Sequence, residues 1–186
     1  MDKVVFLDRD GTINIEKNYL YRPEDFEFIS GAACAIKNLN DNGFKVVVVT
    51  NQAGVARGYY SEQDVNNLHD YIDKRLKEYG AHIDMYIYCP HHPENGIGKY
   101  KCICSCRKPA TGMFEKAAGI YDIDMEKSWM VGDNVGDMEA GKNFGLKTIL
   151  VSTGYGEKVM AERKVLFDYY KKDLGEAAEY IVKVSR

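Results

Sequence analysis

Short apolar runs that end in polar residues alternate with stretches of helical periodicity along the chain. The runs are rich in β-branched residues and predict strands at 4–7, 45–52, 83–88, 128–133 and 147–151. Apolar residues spaced three and four apart, with caps and glycine stops, predict five helices. They run from Ser30-Gly31 to Asn42-Gly43, from the cap Ser61 to Gly80, from the cap Thr111 to Gly119, over 140–144, and onward from Asp173. His69 lies beside the apolar stripe of the helix after Ser61, and we expect it at the surface or at the boundary of the core.

The order of these elements predicts an α/β fold. A strand, a helix and a second strand joined by short turns form a right-handed parallel crossover. We therefore expect one three-layer, Rossmann-like domain over residues 1–186, with a central and mainly parallel sheet. No segment is long enough to form a large cap domain, so loops must shape any pocket.

The first predicted strand ends in two carboxylates, Asp8 and Asp10. In open α/β sheets the functional groups lie just beyond the carboxyl ends of the strands. A carboxylate held there can attack a phosphoryl group in line and form an acyl phosphate. The second carboxylate can protonate the departing oxygen and later deprotonate the attacking water. The alternative, a polar turn that merely follows a strand, is weakened by the motifs that come later in the chain.

Two more predicted strands end in polar residues at the same edge of the sheet. Thr50 ends the second strand, where its hydroxyl and the backbone amides of Asn51 and Gln52 can donate to phosphoryl oxygens. The fourth strand ends at Asp133, and Asp137 follows in the next turn. Two carboxylates at this spacing, opposite the first strand, suit a hard divalent ion such as Mg2+. An aspartate before a helix is also a common capping turn, and the isolated motif does not separate the two interpretations.

Composition and charge narrow the class of protein. Of 186 residues, 45% are hydrophobic and 28% are charged, with a net charge of −3, as in an ordinary globular protein. The acidic balance argues against a nucleic-acid partner, which requires many phosphate contacts. The longest apolar runs are too short to span a membrane, and the N-terminal residues lack the hydrophobic segment of a signal peptide. We therefore expect a cytoplasmic protein with no membrane partner.

A cluster of cysteines and histidines predicts a metal-binding loop at 89–106. Three thiolates and one imidazole are the ligand set of a closed structural zinc site. The predicted ligands are Cys89, His91, Cys104 and Cys106. Little apolar surface lies within this loop, so bound zinc would order a segment that packing cannot. His92 offers the same chemistry as His91, and Cys102 the same as Cys104, so the sequence leaves both choices open.

Two cations, Arg107 and Lys108, directly follow the last predicted zinc ligand. A metal ion that fixes the loop therefore also fixes where this dibasic pair begins. A lysine near the nucleophile offsets negative charge on the aspartate and on the transferring group, and an arginine fork suits a second phosphate. A solvated basic turn is the alternative, and two charges alone do not exclude it.

The motifs, in their order, resemble those of the haloacid dehalogenase-like phosphatases. The matching residues are Asp8-Arg9-Asp10-Gly11-Thr12, then Thr50, then Lys108, then Gly132-Asp133 with Asp137, across nearly the whole chain. The resemblance implies the fold of that superfamily. It implies Asp8 as nucleophile, Asp10 as acid and base, and Thr50 and Lys108 as groups that stabilise the phosphoryl group. It also implies a Mg2+ cofactor held by Asp8, the backbone carbonyl of Asp10, and Asp133.

The metal-loop segment carries a narrower resemblance. Cys89-Pro90-His91-His92-Pro93 with Cys104-Ser105-Cys106-Arg107-Lys108-Pro109 is similar to the D-glycero-D-manno-heptose 1,7-bisphosphate 7-phosphatases and to the phosphatase half of histidinol-phosphate phosphatases. The heptose family implies hydrolysis of the C7 phosphate, with Arg107 binding the retained C1 phosphate. Asn134 stands where some relatives carry lysine. The substrate contacts that the resemblance implies are Glu16, Lys17, Asn18, Tyr19, Asn51, Gln52, Ala53, Arg107 and Asn134.

Three functional hypotheses follow from the sequence. The first is a monomeric, Mg2+-dependent phosphatase with a structural zinc ion, acting on a small-molecule sugar bisphosphate. The second is the same chemistry on histidinol phosphate. The third is a non-catalytic, zinc-stabilised module that binds phosphate. The presence of both Asp8 and Asp10 argues against the third hypothesis, because a binding protein needs no acid and base.

Overall fold

A six-stranded parallel sheet forms the centre of the protein in a computed structural model that describes residues 1–185. The strands are β1 (Val4–Leu7), β2 (Lys45–Asn51), β3 (Met85–Cys89), β4 (Trp129–Gly132), β5 (Lys147–Val151) and β6 (Tyr169–Lys171). They lie in the order β3-β2-β1-β4-β5-β6, and every neighbouring pair is parallel. The prediction of an α/β fold with a mainly parallel sheet is confirmed.

Helices cover both faces of the sheet. The α-helices among residues 1–185 are α1 (Ala32–Asp41), α2 (Ala53–Ala56), α3 (Glu62–Lys77), α4 (Gly112–Ala118), α5 (Val135–Phe144), α6 (Gly156–Glu162) and α7 (Leu174–Val184). Helices α1, α3 and α7 pack on one face, and α4, α5 and α6 on the other. One-turn 3-10 helices lie at Pro23–Asp25 and Gly98–Tyr100. None of the helices in this range is long and apolar enough to cross a membrane.

The central strand β1 is buried on both faces. Val5 and Leu7 pack with one helical layer, and Val4 and Phe6 pack with the other. Burial of each such side chain stabilises the fold by about 1.5–3 kcal/mol, so a register slip of one residue is strongly disfavoured. The observed register pairs Leu7 with residues of β2 and β4. The chain that leaves β1 therefore emerges between the carboxyl ends of two neighbouring strands.

The five predicted strands and two of the predicted helix caps are confirmed, with strand bounds shifted by a few residues. Ser61 forms a capping box with Asp64, and Asp173 caps α7 by accepting from the amide of Glu176 at 3.0 Å. Among the α-helices and strands, α2, α6 and β6 were not predicted. The helices have only one or two turns, and β6 is short and largely exposed, so neither type carries a periodic apolar signal.

The placement of His69 at the surface or boundary was wrong. This side chain is 5% exposed on α3 and stacks on Tyr86 of β3, with ring centroids 4.3 Å apart. Burial and the neighbouring Arg9 guanidinium lower the pKa of His69 to about 3, which keeps the imidazole neutral. Its partners come from distant segments, so helical periodicity alone does not reveal them.

Candidate active site

Asp8 and Lys108 form a buried ion pair where β1 ends. The Asp8 amide donates to the Val131 carbonyl at 3.0 Å and continues the strand ladder by one residue. The ammonium of Lys108 lies 2.9 Å from Asp8 Oδ1 and 2.6 Å from Asp137 Oδ1, and it donates to the Val49 carbonyl at 2.6 Å. Burial disfavours the charged lysine, but the two carboxylates outweigh it and raise the lysine pKa above its ordinary value.

Three carboxylates converge around this lysine. Asp8, Asp133 and Asp137 each offer an oxygen, and these oxygens lie within 4.8 Å of one another. Burial and the charge of Asp137 raise the pKa of Asp8 to about 7, although Lys108 opposes the shift. Burial, Asp8 and Asp137 raise the pKa of Asp133 to about 9. One lysine cannot balance three buried carboxylates, so the donor set fits a hard divalent cation with oxygen ligands.

The turn after β5 holds Asp133 in place. Asp133 Oδ2 accepts from the Tyr155 amide at 2.8 Å, and Thr153 Oγ1 donates to the Gly11 carbonyl at 2.6 Å. Gly11 and Gly154 both have positive φ, and a Cβ on either residue would collide with the Asp133 carboxylate. The loops after β1 and β5 can therefore approach this carboxylate closely only because they carry glycine there.

Asp10 is held by donors on several sides. Arg9 Nη2 donates to Asp10 Oδ2 at 3.0 Å and also lies 3.2 Å from Oδ1. Asn14 Nδ2 donates to Oδ1 at 3.0 Å, and Gln52 Nε2 donates to Oδ2 at 3.1 Å. The carboxylate therefore faces the same cavity as Asp8 in one fixed orientation.

Residues at the end of β2 connect Asp10 with Lys108. Gln52 Nε2 donates to Thr50 Oγ1 at 2.8 Å as well as to Asp10. Asn51 Oδ1 accepts from the Lys108 amide at 3.0 Å, and Asn51 Nδ2 donates to the Lys108 carbonyl at 3.1 Å. These bonds fix the backbone of Lys108, so its side chain can reach Asp8 from the segment that follows the metal-binding loop.

A cavity of about 310 Å3 opens above these groups. Its lining is Asp8, Asp10, Glu16, Thr50, Asn51, Arg107, Lys108, Asp133, Asn134, Gly136, Asp137 and Tyr155. The structure thus brings together all four predicted catalytic residues and Asp133. The predicted contacts Glu16, Asn51, Arg107 and Asn134 lie on the same cavity.

A second cavity of about 210 Å3 adjoins the first. Its lining is Asp10, Glu16, Asn18, Tyr19, Asn51, Gln52, Ala53, Tyr60 and Tyr155. Asn18 donates its amide to Glu16 Oε1 at 2.7 Å, and burial beside Asp10 raises the pKa of Glu16. Lys17 is not brought to either cavity, since its ammonium contacts the Asp25 carbonyl at 2.8 Å.

Three cysteines and one histidine converge beyond β3. The Cys89 sulfur lies 3.5 Å from that of Cys104 and 2.9 Å from that of Cys106. His91 Nδ1 lies 3.7 Å from Cys89 Sγ and 3.4 Å from Cys106 Sγ. A tetrahedral zinc site with bonds of about 2.3 Å to sulfur has edges of roughly 3.8 Å, which the larger of these distances approach. The donor set fits zinc, and the four side chains converge on one point, with the sulfur atoms 2.9 to 3.5 Å apart and so closer together than around a bound ion.

The two alternatives that the sequence left open differ in geometry. His92 Nδ1 accepts from the amides of Glu94 and Asn95 at 3.2 and 3.0 Å, so its ring is engaged in its own turn. Cys102 lies outside the four-residue cluster, and none of the five cysteines forms a disulfide. Within residues 1–185 the cluster therefore contains His91 and Cys104 rather than their neighbours.

Arg107 links this loop to the first cavity. Its Nη1 donates to the His91 carbonyl at 3.2 Å, while the side chain lines the cavity with Lys108. The loop also contacts other segments, because the Ile97 amide donates to the Ala56 carbonyl at 2.8 Å and Tyr100 donates to Glu62 at 2.7 Å. The loop at 89–106 therefore supports the wall that carries the arginine.

Sequence reasoning missed several members of the site. The sequence grouped Asp137 with Asp133 as carboxylates that suit a divalent ion, but it did not predict the ion pair of Asp137 with Lys108. Tyr155 follows β5 closely, so the rule that sites lie at the carboxyl ends of strands would have found it. Arg9 stands between the two motif aspartates, and nothing in its local sequence indicates that it is buried behind Asp10.

Comparisons with known proteins identify the family. Residues 105–177 match the model of the HAD-hydrolase-like family. The chain is 48% identical to a D-glycero-beta-D-manno-heptose-1,7-bisphosphate 7-phosphatase of Haemophilus ducreyi over 164 residues, which cover 87% of this chain and 90% of the relative. The corresponding alpha-anomer enzyme of Photorhabdus laumondii is 43% identical, with 88% and 90% covered. The chain belongs to the D-glycero-D-manno-heptose-1,7-bisphosphate 7-phosphatase family.

The solved structures agree with membership of this HAD-like phosphatase family. The D,D-heptose 1,7-bisphosphate phosphatase of B. bronchiseptica, solved with magnesium and phosphate, superposes with a TM-score of 0.88. It is 33% identical, and the match covers 98% of this chain and 99% of that chain. A second such phosphatase, from Burkholderia thailandensis, has a TM-score of 0.73 at 28% identity, and both chains are covered completely. The predicted superfamily and the prediction of an enzyme are confirmed.

Proposed function

We propose that this phosphatase hydrolyses the C7 phosphate of D-glycero-D-manno-heptose 1,7-bisphosphate through a phosphoaspartyl enzyme at Asp8. The observation that carries the proposal is the position of the Asp8 carboxylate, which is paired with the buried Lys108 and lines a cavity that also contains Arg107. A strand-end carboxylate paired with a lysine suits a nucleophile for phosphorus. A second cation on the same wall suits a substrate with a second phosphate.

The roles of the three carboxylates follow from which of their oxygens are not already bonded to protein groups. Both oxygens of Asp137 are engaged, one by Lys108 at 2.6 Å and one by the Asn134 amide at 3.0 Å. Asp8 and Asp133 each have one oxygen beyond their contacts with Lys108 and Tyr155. We therefore assign Asp8, Asp133 and the Asp10 carbonyl to Mg2+, and Asp137 to the lysine. Bound Mg2+ would offset negative charge on the phosphoryl oxygens.

In the first step, Asp8 attacks phosphorus while the bond from phosphorus to the C7 oxygen breaks. Lys108 and Thr50 offset charge on the phosphoryl oxygens. The departing alkoxide is strongly basic, and Asp10 supplies the proton that converts it to an alcohol. The heptose leaves with its C1 phosphate intact.

In the second step, water attacks the phosphorus of the acyl phosphate. Asp10, now deprotonated, accepts a proton from this water. The bond between phosphorus and the Asp8 oxygen breaks, so inorganic phosphate leaves and the carboxylate is regenerated. The donors around Asp10 hold it in one orientation for both proton transfers.

The retained phosphate distinguishes the candidate substrates. In our proposal Arg107 binds the C1 phosphate, and the second cavity accommodates sugar hydroxyls beside Asn18, while Gln52 on its wall stays bonded to Asp10 and Thr50. Histidinol phosphate carries a single phosphate, so it would leave Arg107 with no anionic partner in the cavity. A non-catalytic binding module has no need of an acid and base, so Asp10 again disfavours it.

We further propose that Cys89, His91, Cys104 and Cys106 bind a structural zinc ion. All four positions of a tetrahedral site are then filled by protein, which leaves none for a catalytic water. Because Arg107 directly follows the last ligand and donates to the His91 carbonyl, the metal holds the arginine against the cavity. Cytoplasmic location and a monomeric state remain predictions.

Phosphate release from both anomers of the heptose 1,7-bisphosphate, from histidinol phosphate and from p-nitrophenyl phosphate tests the proposal. We expect wild type to prefer a bisphosphate. Arg107→Ala should raise KM for the bisphosphate about 10-fold to 100-fold, because a charge-assisted phosphate contact contributes roughly 1.5–3 kcal/mol. Its kcat/KM for p-nitrophenyl phosphate should change little. Equal losses on both substrates would contradict the assignment of Arg107, and a wild-type preference for histidinol phosphate would contradict the proposed substrate.

A further inference from the structure

A buried arginine lies directly behind the proposed acid and base. Arg9 has no exposed surface, although it stands between Asp8 and Asp10 in sequence. Its guanidinium contacts both oxygens of Asp10, and its Nη2 also lies 3.0 Å from the Leu20 carbonyl and 3.3 Å from Gln52 Oε1. The phosphoryl-transfer steps described above do not use this side chain, and it lines neither cavity.

The far side of this guanidinium is held by His69. Arg9 Nη1 lies 3.3 Å from His69 Nε2. An arginine can only donate, so Nε2 must accept, which requires a neutral imidazole with its proton on Nδ1. The ring of His69 is itself fixed by its stack on Tyr86, whose hydroxyl donates to Asp73 at 2.8 Å. A chain of directed contacts therefore runs from the β3 strand to the Asp10 carboxylate.

Gln52 closes the network on the other side of Asp10. Its Oε1 accepts from the Tyr60 hydroxyl at 2.6 Å and from Arg9, which orients its Nε2 toward Asp10 and Thr50. The arginine thus orients both the carboxylate and the amide that contacts it. Buried polar groups in such a network have no alternative hydrogen-bond partners, so each side chain restricts the rotamer of the next.

We propose that Arg9 and His69 are a positioning pair that orients the Asp10 carboxylate for proton transfer to the leaving group. This inference rests on the proposed role of Asp10 as acid and base, but not on the identity of the sugar. Neither residue contacts the cavity, so the pair acts only through Asp10 and Gln52. Loss of the pair should therefore slow the step in which Asp10 protonates the leaving group. Departure of a leaving group that needs no proton should be affected little.

The leaving group separates such a role from a merely structural one. p-Nitrophenolate departs readily without a proton, whereas phenolate is more basic and gains more from general acid catalysis. The value of kcat/KM reports only the formation of the phosphoenzyme. We therefore compare kcat/KM for phenyl phosphate with that for p-nitrophenyl phosphate in wild type, His69→Leu, His69→Gln, Arg9→Lys and Asp10→Asn.

For Asp10→Asn we expect phenyl phosphate hydrolysis to fall at least roughly 10-fold more than p-nitrophenyl phosphate hydrolysis. His69→Leu and Arg9→Lys should show the same selective loss at a smaller size, about 3-fold to 10-fold. His69→Gln should restore the wild-type ratio, because its Oε1 can accept from the arginine near the position of Nε2. Thermal unfolding of each variant shows whether the fold is retained, and the ratio does not depend on the concentration of folded enzyme.

The outcomes distinguish failure of this inference from failure of the proposed mechanism. If Asp10→Asn loses both activities equally, the acid role of Asp10 is wrong, and the positioning pair is wrong with it. A selective loss in Asp10→Asn with equal losses in His69→Leu and Arg9→Lys would overturn only the positioning pair. If the ratio of the two kcat/KM values in His69→Gln matches that in His69→Leu, the atom that accepts from Arg9 is irrelevant. This result would also overturn the positioning pair.

Discussion

Lys108 lies closer to Asp137 than to the proposed nucleophile, with its ammonium 2.6 Å from Asp137 Oδ1 and 2.9 Å from Asp8 Oδ1. The lysine therefore divides its charge between two carboxylates. An ammonium that paired with Asp8 alone would neutralise this carboxylate and make it a weaker nucleophile. Asp137 thus keeps Lys108 near the phosphoryl position without fully neutralising Asp8.

Replacement of Asp137 by asparagine tests this division of charge. Asp137→Asn preserves shape and an accepting oxygen but removes the competing charge. We expect kcat to fall about 10-fold to 100-fold, as for the loss of other outer partners of a metal site, while the KM for substrate changes little. Steady-state kinetics at saturating Mg2+ give both values. An unchanged kcat would contradict the role of Asp137 in setting the charge on Asp8.

Asp133 should reduce the stability of the metal-free protein. Burial, Asp8 and Asp137 raise its pKa to about 9, so its ionised form is disfavoured at neutral pH. Asp133→Asn removes the free-energy cost of keeping this carboxyl protonated at pH 7 in the native state, and it keeps an acceptor for the Tyr155 amide. We expect the free energy of unfolding without Mg2+ to rise by about 1–2 kcal/mol, from urea denaturation at pH 7.

The same variant should lose its response to the cation. Added Mg2+ should raise the free energy of unfolding of wild type, because a ligand that binds only the native state stabilises it. Asp133→Asn should show little increase. The exposed Asp70→Asn serves as the matched control and should behave like wild type. A lower free energy of unfolding for metal-free Asp133→Asn than for wild type would contradict the electrostatic cost that we assign to Asp133.

His69 should make the fold sensitive to acid. Its pKa is about 3 in the folded protein, well below the ordinary value of 6.5, so the unfolded chain binds a proton that the native protein excludes. The titration of His69 therefore does not affect the free energy of unfolding above about pH 6.5, and it lowers that free energy progressively as the pH falls from 6.5 toward 3. The expected slope is about 1 kcal/mol per pH unit in this window.

His69→Gln isolates that contribution. The variant carries no group that titrates at this position, so its free energy of unfolding should fall less steeply than that of wild type between pH 6.5 and the acid transition. Urea midpoints measured for both proteins across this range give the difference, which cancels contributions from the carboxylates. Parallel curves would contradict the buried, neutral state of His69.

Two cysteines of the metal-binding loop provide a matched pair of variants. Cys104 belongs to the four-residue cluster, whereas Cys102 lies in the same loop outside it. We expect Cys104→Ser to lower the bound zinc measured by elemental analysis, and to lower the melting temperature by several degrees, since a structural zinc site contributes folding free energy. Cys102→Ser should retain both. Equal zinc content in the two variants, or no zinc in wild type purified without chelator, would contradict the assignment.

The positions of most site residues could be predicted from sequence because these residues lie at the carboxyl ends of predicted strands. Asp8, Thr50 and Asp133 each come directly after or at the end of a buried run, and parallel strands bring their carboxyl ends to one edge. The dibasic pair after Cys106 and the resemblance both pointed to Lys108, but neither fixes its distance from Asp8. Its approach to Asp8 is set by Asn51, which holds the backbone of Lys108 from a different strand.

The parts that sequence did not reveal depend on tertiary contacts. The burial of His69 and Arg9 arises from each other and from Tyr86, which are far apart along the chain. The choice of His91 over His92 depends on loop geometry, because adjacent histidines have identical chemistry. Lys17 appeared in the predicted substrate set but faces Asp25, since the loop turns its side chain away from the cavities.

Covalent capture of phosphate on the enzyme tests the central claim most directly. Wild type mixed with the heptose 1,7-bisphosphate and Mg2+, quenched in acid within one turnover and digested, should yield a phosphorylated peptide whose modified residue is Asp8 by mass spectrometry. Asp8→Asn, folded to the same extent, should yield neither the phosphopeptide nor phosphate release. Phosphate release by Asp8→Asn at a rate comparable with wild type, or a phosphoryl group on another residue, would contradict the account.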